Sequence, residues 1–217
     1  MRPINDLLPA TLLLCLSVIA ARANADELTQ QLLPIQQQWA FINYQLPESK
    51  KEEAFTALEE KAQALAERHA DRAEPKLWQA IIISTHAGVR GGLGALGMVK
   101  KARELLLQAE AIDAAVMDGS IYTSLGSLYY QVPGWPLGFG DDDKARSLLL
   151  EALQRNPDGI DPNYFYGDFL YRNGETEAAL AALNKALQAP ARPDRPLADA
   201  GRREEVRALI AKIQTNG

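Results

Sequence analysis

Small and apolar side chains return at helical spacing through the second half of the chain. Three segments superimpose without gaps: KARELLLQAEAID from Lys101, KARSLLLEALQRNP from Lys144 and EAALAALNKALQAP from Glu177. Each carries Ala-x3-Leu-x2-Ala, as Ala102/Leu106/Ala109, Ala145/Leu149/Ala152 and Ala179/Leu183/Ala186. Positions i, i+4 and i+7 share one helix face, and the alanines on it let a neighbouring helix come close. From Ala145 to Ala179 the period is 34 residues, which predicts a helix-turn-helix repeat. A partner helix precedes each copy, patterned Trp78-x2-Ile81-Ile82-x2-Thr85, Tyr122-x2-Leu125-Gly126-x2-Tyr129 and Asn163-x2-Tyr166-Gly167-x2-Leu170. Gly126 and Gly167 are expected where the paired helices touch most closely.

These residues resemble the tetratricopeptide repeat family, whose pattern is W-x2-L-G-x2-Y, then Ala-x3-Phe-x2-Ala, then Pro. Pro157 stands where that pattern asks, and Pro190 one residue early. The likeness spans residues 75–190 and is strongest over 119–190, with repeats at about 75–114, 119–158 and 160–191. Ile82 in place of Gly, and no Pro after Ala109, make the first copy divergent. The resemblance implies an all-α fold, a short tetratricopeptide-like helical-repeat solenoid. Two further helices are expected ahead of it, through QQQWAFINYQL and KKEEAFTALEEKAQALAERHADRA, with Pro34 and Pro47 as breakers. A C-terminal capping helix with a polar outer face is expected over 197–213. With no alternating strand pattern, residues 26–217 read as one domain of about nine helices.

Two turns depart from the repeat. Eight residues separate Leu170 from Ala179, but fifteen separate Tyr129 from Ala145 and sixteen separate Thr85 from Ala102. The added segments are GVRGGLGALG at 88–97 and QVPGWPLGFGDDD at 131–143. Equivalent turns of stacked repeats lie along one edge, so two side-by-side loops are expected to form the rim of a binding site, with Arg90, Trp135 and Phe139 on it. Trp135 and Phe139 are either plugs that pack the loop down or aromatics that face a ligand. Gly92-x-Gly94-x-x-Gly97 matches a dinucleotide fingerprint in spacing, but no strand ends at its first glycine. Asp141-Asp142-Asp143 reads as an N-cap and acidic first turn, without the ligand register of a calcium loop.

In the family resembled, the first helix of each repeat lines the concave groove. Carried onto this chain, the groove stripe is Gln79, Ile83 and His86, then Thr123, Ser127 and Tyr130, then Tyr164, Asp168 and Tyr171. His86, Tyr130 and Tyr171 hold the same place in successive copies, and a ladder across the groove is expected of them. The alternative is that Tyr130 and Tyr171 pack between repeats. Ten of the fifteen aromatic residues lie between 122 and 171, where the best-equipped contact surface should be.

Composition narrows the function. Lys+Arg 23 against Asp+Glu 28 gives a net charge of −5, which argues against binding nucleic acid or an anionic membrane by bulk charge. Residues 1–25 have the layout of a secretory signal peptide: Arg2, an apolar run from Leu7 to Ala20, and the triplets Ala21-Arg22-Ala23 and Ala23-Asn24-Ala25, with cleavage expected after Ala25. Cys15 follows Leu12-Leu13-Leu14 and lacks the small residue of a lipobox, so lipid anchoring is not expected. The mature chain then has no cysteine, and its two histidines, His69 and His86, form no recognisable catalytic set. Neither an enzyme activity nor a cofactor or metal is expected, nor a membrane span in the mature chain. These features, with the resemblance, imply a periplasmic scaffold that binds another exported protein or a peptide segment. The alternative is a small-ligand-binding accessory protein, since the chain is also similar to the T component of TRAP transporters, which associates with a solute-binding receptor.

Overall fold

The computed structural model describes residues 27–216. Among them the chain forms nine helices: α1 (27–44), α2 (Glu48–Arg68), α3 (Ala73–Arg90), α4 (Gly92–Ile112), α5 (Val116–Gln131), α6 (Asp142–Arg155), α7 (Ile160–Arg172), α8 (Thr176–Leu187) and α9 (Pro196–Asn216). Extended pairing among the described residues is limited to one isolated bridge, Gly134 with Gly140. The expected signal segment, residues 1–25 with Cys15, lies outside the described residues.

Helices α3 and α4, α5 and α6, and α7 and α8 pack as successive hairpins, the architecture of a tetratricopeptide-like helical-repeat solenoid. Glycine sets the depth of two of these contacts. A Cβ on Gly126 would lie 2.7 Å from Leu149 Cγ, and one on Gly167 would lie 2.8 Å from Leu183 Cγ. Ile82 has the corresponding motif position in α3 but packs with α1 and α2, while Leu77, Ala80, Ile83 and Ala87 join the core shared with α4. The first copy diverges because its first helix must bury a second face.

Three sequence expectations change here. Pro34 does not break α1, which runs through it. An interior proline costs about 3 kcal/mol or more, but Leu28, Leu32, Ile35, Trp39 and Ile42 are all buried from this helix, each recovering about 1.5–3 kcal/mol. The segment 88–97 is not a loop: it is the end of α3, a sharp reversal at Gly91 and Gly92 (φ 63 and 61), and the first turns of α4. Two glycines in the left-handed region make the whole turn, so the remaining inserted residues lengthen the helices. Finally, α9 is more than a polar end plate, since it buries Ala198, Asp199, Arg202, Val206 and Ile213.

The two ends of the array meet. Ala198 of α9 shares a core with α1, α2, Trp78 and Ile82. The Tyr44 ring lies so close to Gly201 that a Cβ there would come within 2.3 Å of it, and Tyr44 Oη donates to Glu205 at 3.4 Å. Thus α1 and the segment ahead of α9 close over the side of the repeats formed by their first helices, α3, α5 and α7.

Candidate functional site

The closure leaves a cavity of about 560 Å³ on the concave side, within the usual range of small-molecule sites. Leu28, Leu32 and Trp39 of α1 form one wall. Trp39 is fixed by an Nε1–H that donates to Thr85 Oγ1 at 2.9 Å and by an edge contact with Trp78, ring centres 5.9 Å apart. Facing them, α3 offers Trp78, Ile81 and Thr85, and α5 offers Ser120, Thr123 and Ser127. Phe165 and Asp161 come from α7, and Arg192 and Arg195 from the segment that joins α8 to α9.

Several hydroxyls on the helical wall are already turned inward. Ser84 donates to Ala80 O at 2.8 Å, Thr85 to Ile81 O at 2.9 Å and Ser127 to Ser124 O at 2.9 Å. Their protons satisfy their own helices, and while Thr85 Oγ1 already accepts from Trp39, Ser84 and Ser127 keep oxygen lone pairs toward the cavity. At the start of α5 three consecutive residues, Met117, Asp118 and Gly119, are left-handed (φ 48, 52 and 78). Two of the three carry side chains that disfavour this region by about 1 kcal/mol or more each. Met117 and Asp118 line the cavity, and Trp78 Nε1 donates to Met117 Sδ at 3.3 Å, so the strained turn is held by the site's own residues.

One end of the cavity is an arginine cluster. Asp161 accepts from Arg192 at 2.7 Å and from Arg202 at 2.8 Å, and Arg192 also reaches Asp199 at 2.6 Å. Arg202 continues to Glu205 at 2.5 Å and lies over Tyr164 and Phe165, at 4.5 and 4.7 Å. Burial alone would raise the Asp161 carboxyl, yet Arg202 and Arg192 hold it well below the usual carboxylate range. Burial pushes Glu205 upward against the pull of Arg202. Arg195 differs from its neighbours: it lies 4.8 Å over the Trp78 ring, and its buried Nε has no hydrogen-bond partner among the described residues. Burial and the positive charge of Arg192 lower its affinity for its proton, against the pull of Asp161 and Asp199.

Of the residues expected in the groove, Thr123 and Ser127 line the cavity. The rest are taken up elsewhere, by α2, by contacts between repeats and by α9. His86 is 3% exposed beneath α2, where Nδ1 meets Glu59 at 2.5 Å, Nε2 meets Glu52 at 3.3 Å and Phe55 stacks on the ring. Gln79 is buried too, and Arg90 stands 3.6 Å from Glu52. Tyr130 donates to Asp168 Oδ2 at 2.8 Å, and Arg172 donates to the same oxygen at 3.0 Å, so Tyr130 and Asp168 tie α5 to α7. Burial and then Asp168 raise the Tyr130 phenol well above its ordinary value. Tyr164 lies under Arg202, and Tyr171 near Lys212 of α9 at 5.5 Å. The expected ladder is therefore not one surface, because α2 covers its first rung and α9 approaches its last.

The rim residues separate as well. Phe139 meets Tyr129 edge-on at 5.4 Å beneath Arg103 at 4.3 Å, while Trp135 is 90% exposed. Gly140 N–H to Pro133 O at 3.0 Å and Asp141 N–H to Tyr129 O at 2.9 Å fasten this loop. Asp141 caps α6 as expected, accepting from Lys144 N–H at 2.9 Å. The cavity face of α3 is also displaced by two positions from the motif alignment. Trp78, Ile81 and Thr85 take the places of Ser120, Thr123 and Ser127, whereas the motif pairs Trp78 with Tyr122. No motif marks Arg192, Arg195, Arg202 or Asp161. Their signal is a run of arginines, ARPDRP and GRR, bracketing the start of a helix.

No protein-family model matches the chain. No curated protein matches it either. Among solved structures the chain is similar to the crystal structure of a thermophilic tetratricopeptide repeat protein of Thermus thermophilus, at 15% identity and a TM-score of 0.43, over 83% of this chain and 99% of that one.

Proposed function

We propose that the protein is a non-catalytic binding protein, exported to the periplasm, whose helical repeats hold a small molecule on their concave side. The observation that carries this reading is the cavity itself: α1 and the segment before α9 close over a groove that an open solenoid would present to an extended peptide. A left-handed turn kept at the cavity wall supports it further, since such strain persists where surrounding contacts or function demand it. The role of an accessory protein beside a solute-binding receptor fits a mature chain that carries a ligand and performs no chemistry on it.

A second reading, the scaffold for another exported protein, is favoured by one feature. Trp135 and Leu137 stand 90% and 63% exposed on a loop held by backbone hydrogen bonds. An exposed aromatic on a fixed loop is the type of group that anchors a protein interface. Native mass spectrometry on the protein taken gently from the envelope of its own host separates the two. An excess mass of small-molecule size that leaves on mild denaturation supports the cavity reading. A bare chain mass with a co-purifying protein, lost in Trp135→Ala, transfers the function to the loop.

A further inference from the structure

From the cavity's charge arrangement we infer that its ligand is a small organic anion, seated by its carboxylate or phosphate on Arg195 with its apolar body along Trp39 and Leu32. This rests on the cavity being a binding site and says which chemistry it selects.

Among the described residues, four arginines gather at this end: Arg192, Arg195, Arg202 and Arg203. Three carboxylates answer them, with Asp161 between Arg192 and Arg202, Asp199 between Arg192 and Arg203, and Glu205 on Arg202. Arg195 shares the field of Asp161 and Asp199 with these arginines, but its buried Nε has no hydrogen-bond partner among the described residues, and it is the one that lies on the Trp78 ring in the cavity wall. A planar guanidinium stacked on an indole keeps its N–H edge for bidentate contact with a carboxylate or phosphate. A buried donor without a partner costs free energy until a ligand supplies an acceptor.

The remaining acidic residues of the wall are engaged elsewhere or open to solvent. Glu74 pairs with Arg72 at 2.5 Å, and Asp118 and Asp194 are exposed. Away from Arg195 the wall turns apolar at Leu28, Leu32, Trp39 and Ile81. A ligand with a charged head and a partly apolar body therefore matches the site better than a sugar or an inorganic ion.

The test uses a charge series of equal length, decanoate, decanol and decylamine, each kept below its micelle limit. Of the three tryptophans, Trp39 and Trp78 line the cavity and Trp135 does not, so Trp135→Phe leaves a fluorescence signal from the site alone. Decanoate is expected to shift that signal saturably and to bind more tightly than decanol, with decylamine weakest. Arg195→Gln should weaken decanoate by about tenfold or more and leave decanol unchanged, with Arg195→Lys in between. Thermal melts of both variants verify that they fold. Equal decanoate binding in Arg195→Gln, or tighter binding of decanol or decylamine, overturns the anion seat and leaves the cavity reading standing. No binding of any member of the series overturns both.

Discussion

Replacing Gly126 by Ala puts the packing of the repeats to a direct test. In an exposed helix interior the exchange gains about 1 kcal/mol, because Gly loses more backbone freedom on folding. At Gly126 the new methyl would stand 2.7 Å from Leu149 Cγ, 2.9 Å from Cδ2 and 3.3 Å from the Leu149 backbone nitrogen. Leu149 is fully buried and the nearest atom is its branch point, so no rotation of a distal group relieves the clash. Helices α5 and α6 must separate instead, and overpacking of this type costs about 1–3 kcal/mol. Gly97 is the control: it lies inside α4 with nothing within 4 Å of an added Cβ, so the helix gain is unopposed. Both exchanges share the helix gain, so thermal denaturation followed by circular dichroism should place Gly126→Ala below Gly97→Ala by the packing cost, about 1–3 kcal/mol, or roughly 2–12 °C for a chain of this size. In a Leu149→Ala background the penalty at Gly126 should vanish, a coupling read by a double-mutant cycle. Equal increases in melting temperature for Gly126→Ala and Gly97→Ala would refute the close approach on which the repeat assignment depends.

The loop and the charged cluster give further outcomes. Trp135→Ala should change stability by about 0.5 kcal/mol or less, because so exposed a ring has little to lose, whereas Phe139→Ala should cost about 2 kcal/mol through its contacts with Tyr129 and Arg103; urea unfolding compares the two. Trp39→Phe should lose about 1 kcal/mol with its hydrogen bond to Thr85, and its melt should be matched by that of Thr85→Val. The depressed Asp161 carboxyl contributes stability that is fully present above the unfolded carboxylate pKa of about 3.9 and is lost as pH falls toward the lower folded value. The stability gap between the native chain and Asp161→Asn should therefore be constant from about pH 7 to pH 5 and shrink below about pH 4; a gap that already closes at neutral pH would contradict the arginine pairing.

The repeats are legible in the sequence because each spacing rule acts within one helix hairpin. Ala145, Leu149 and Ala152 face their partner helix whatever surrounds the pair, and Gly126 and Gly167 record a contact only a few residues away in the fold. Pro34 misleads because burial against other helices decides it, and a local breaker signal carries no information about that burial, whereas 88–97 misleads because two left-handed glycines complete the turn at once. The groove stripe is divided by burial of the same kind. His86 and Tyr171 occupy the expected helical positions, but α2 and α9 reach them from separate parts of the chain. Thr123 and Ser127 reach the cavity as the stripe predicts because α1 stands across from them and leaves a space between. The arginine cluster unites residues 161, 192, 195 and 202, a juxtaposition created only when α7, α9 and their linker fold together.

The meeting of Tyr44 with Gly201 fixes the number of units in this array. An open solenoid can gain or lose a repeat by duplication or deletion, since each unit needs only its neighbours. Here an inserted hairpin would drive the first and last helices apart, open the second core and empty the cavity of its walls. Such a chain should unfold as one cooperative body, without fraying from an end, and it should diversify by substitution at the cavity surface and not by growth.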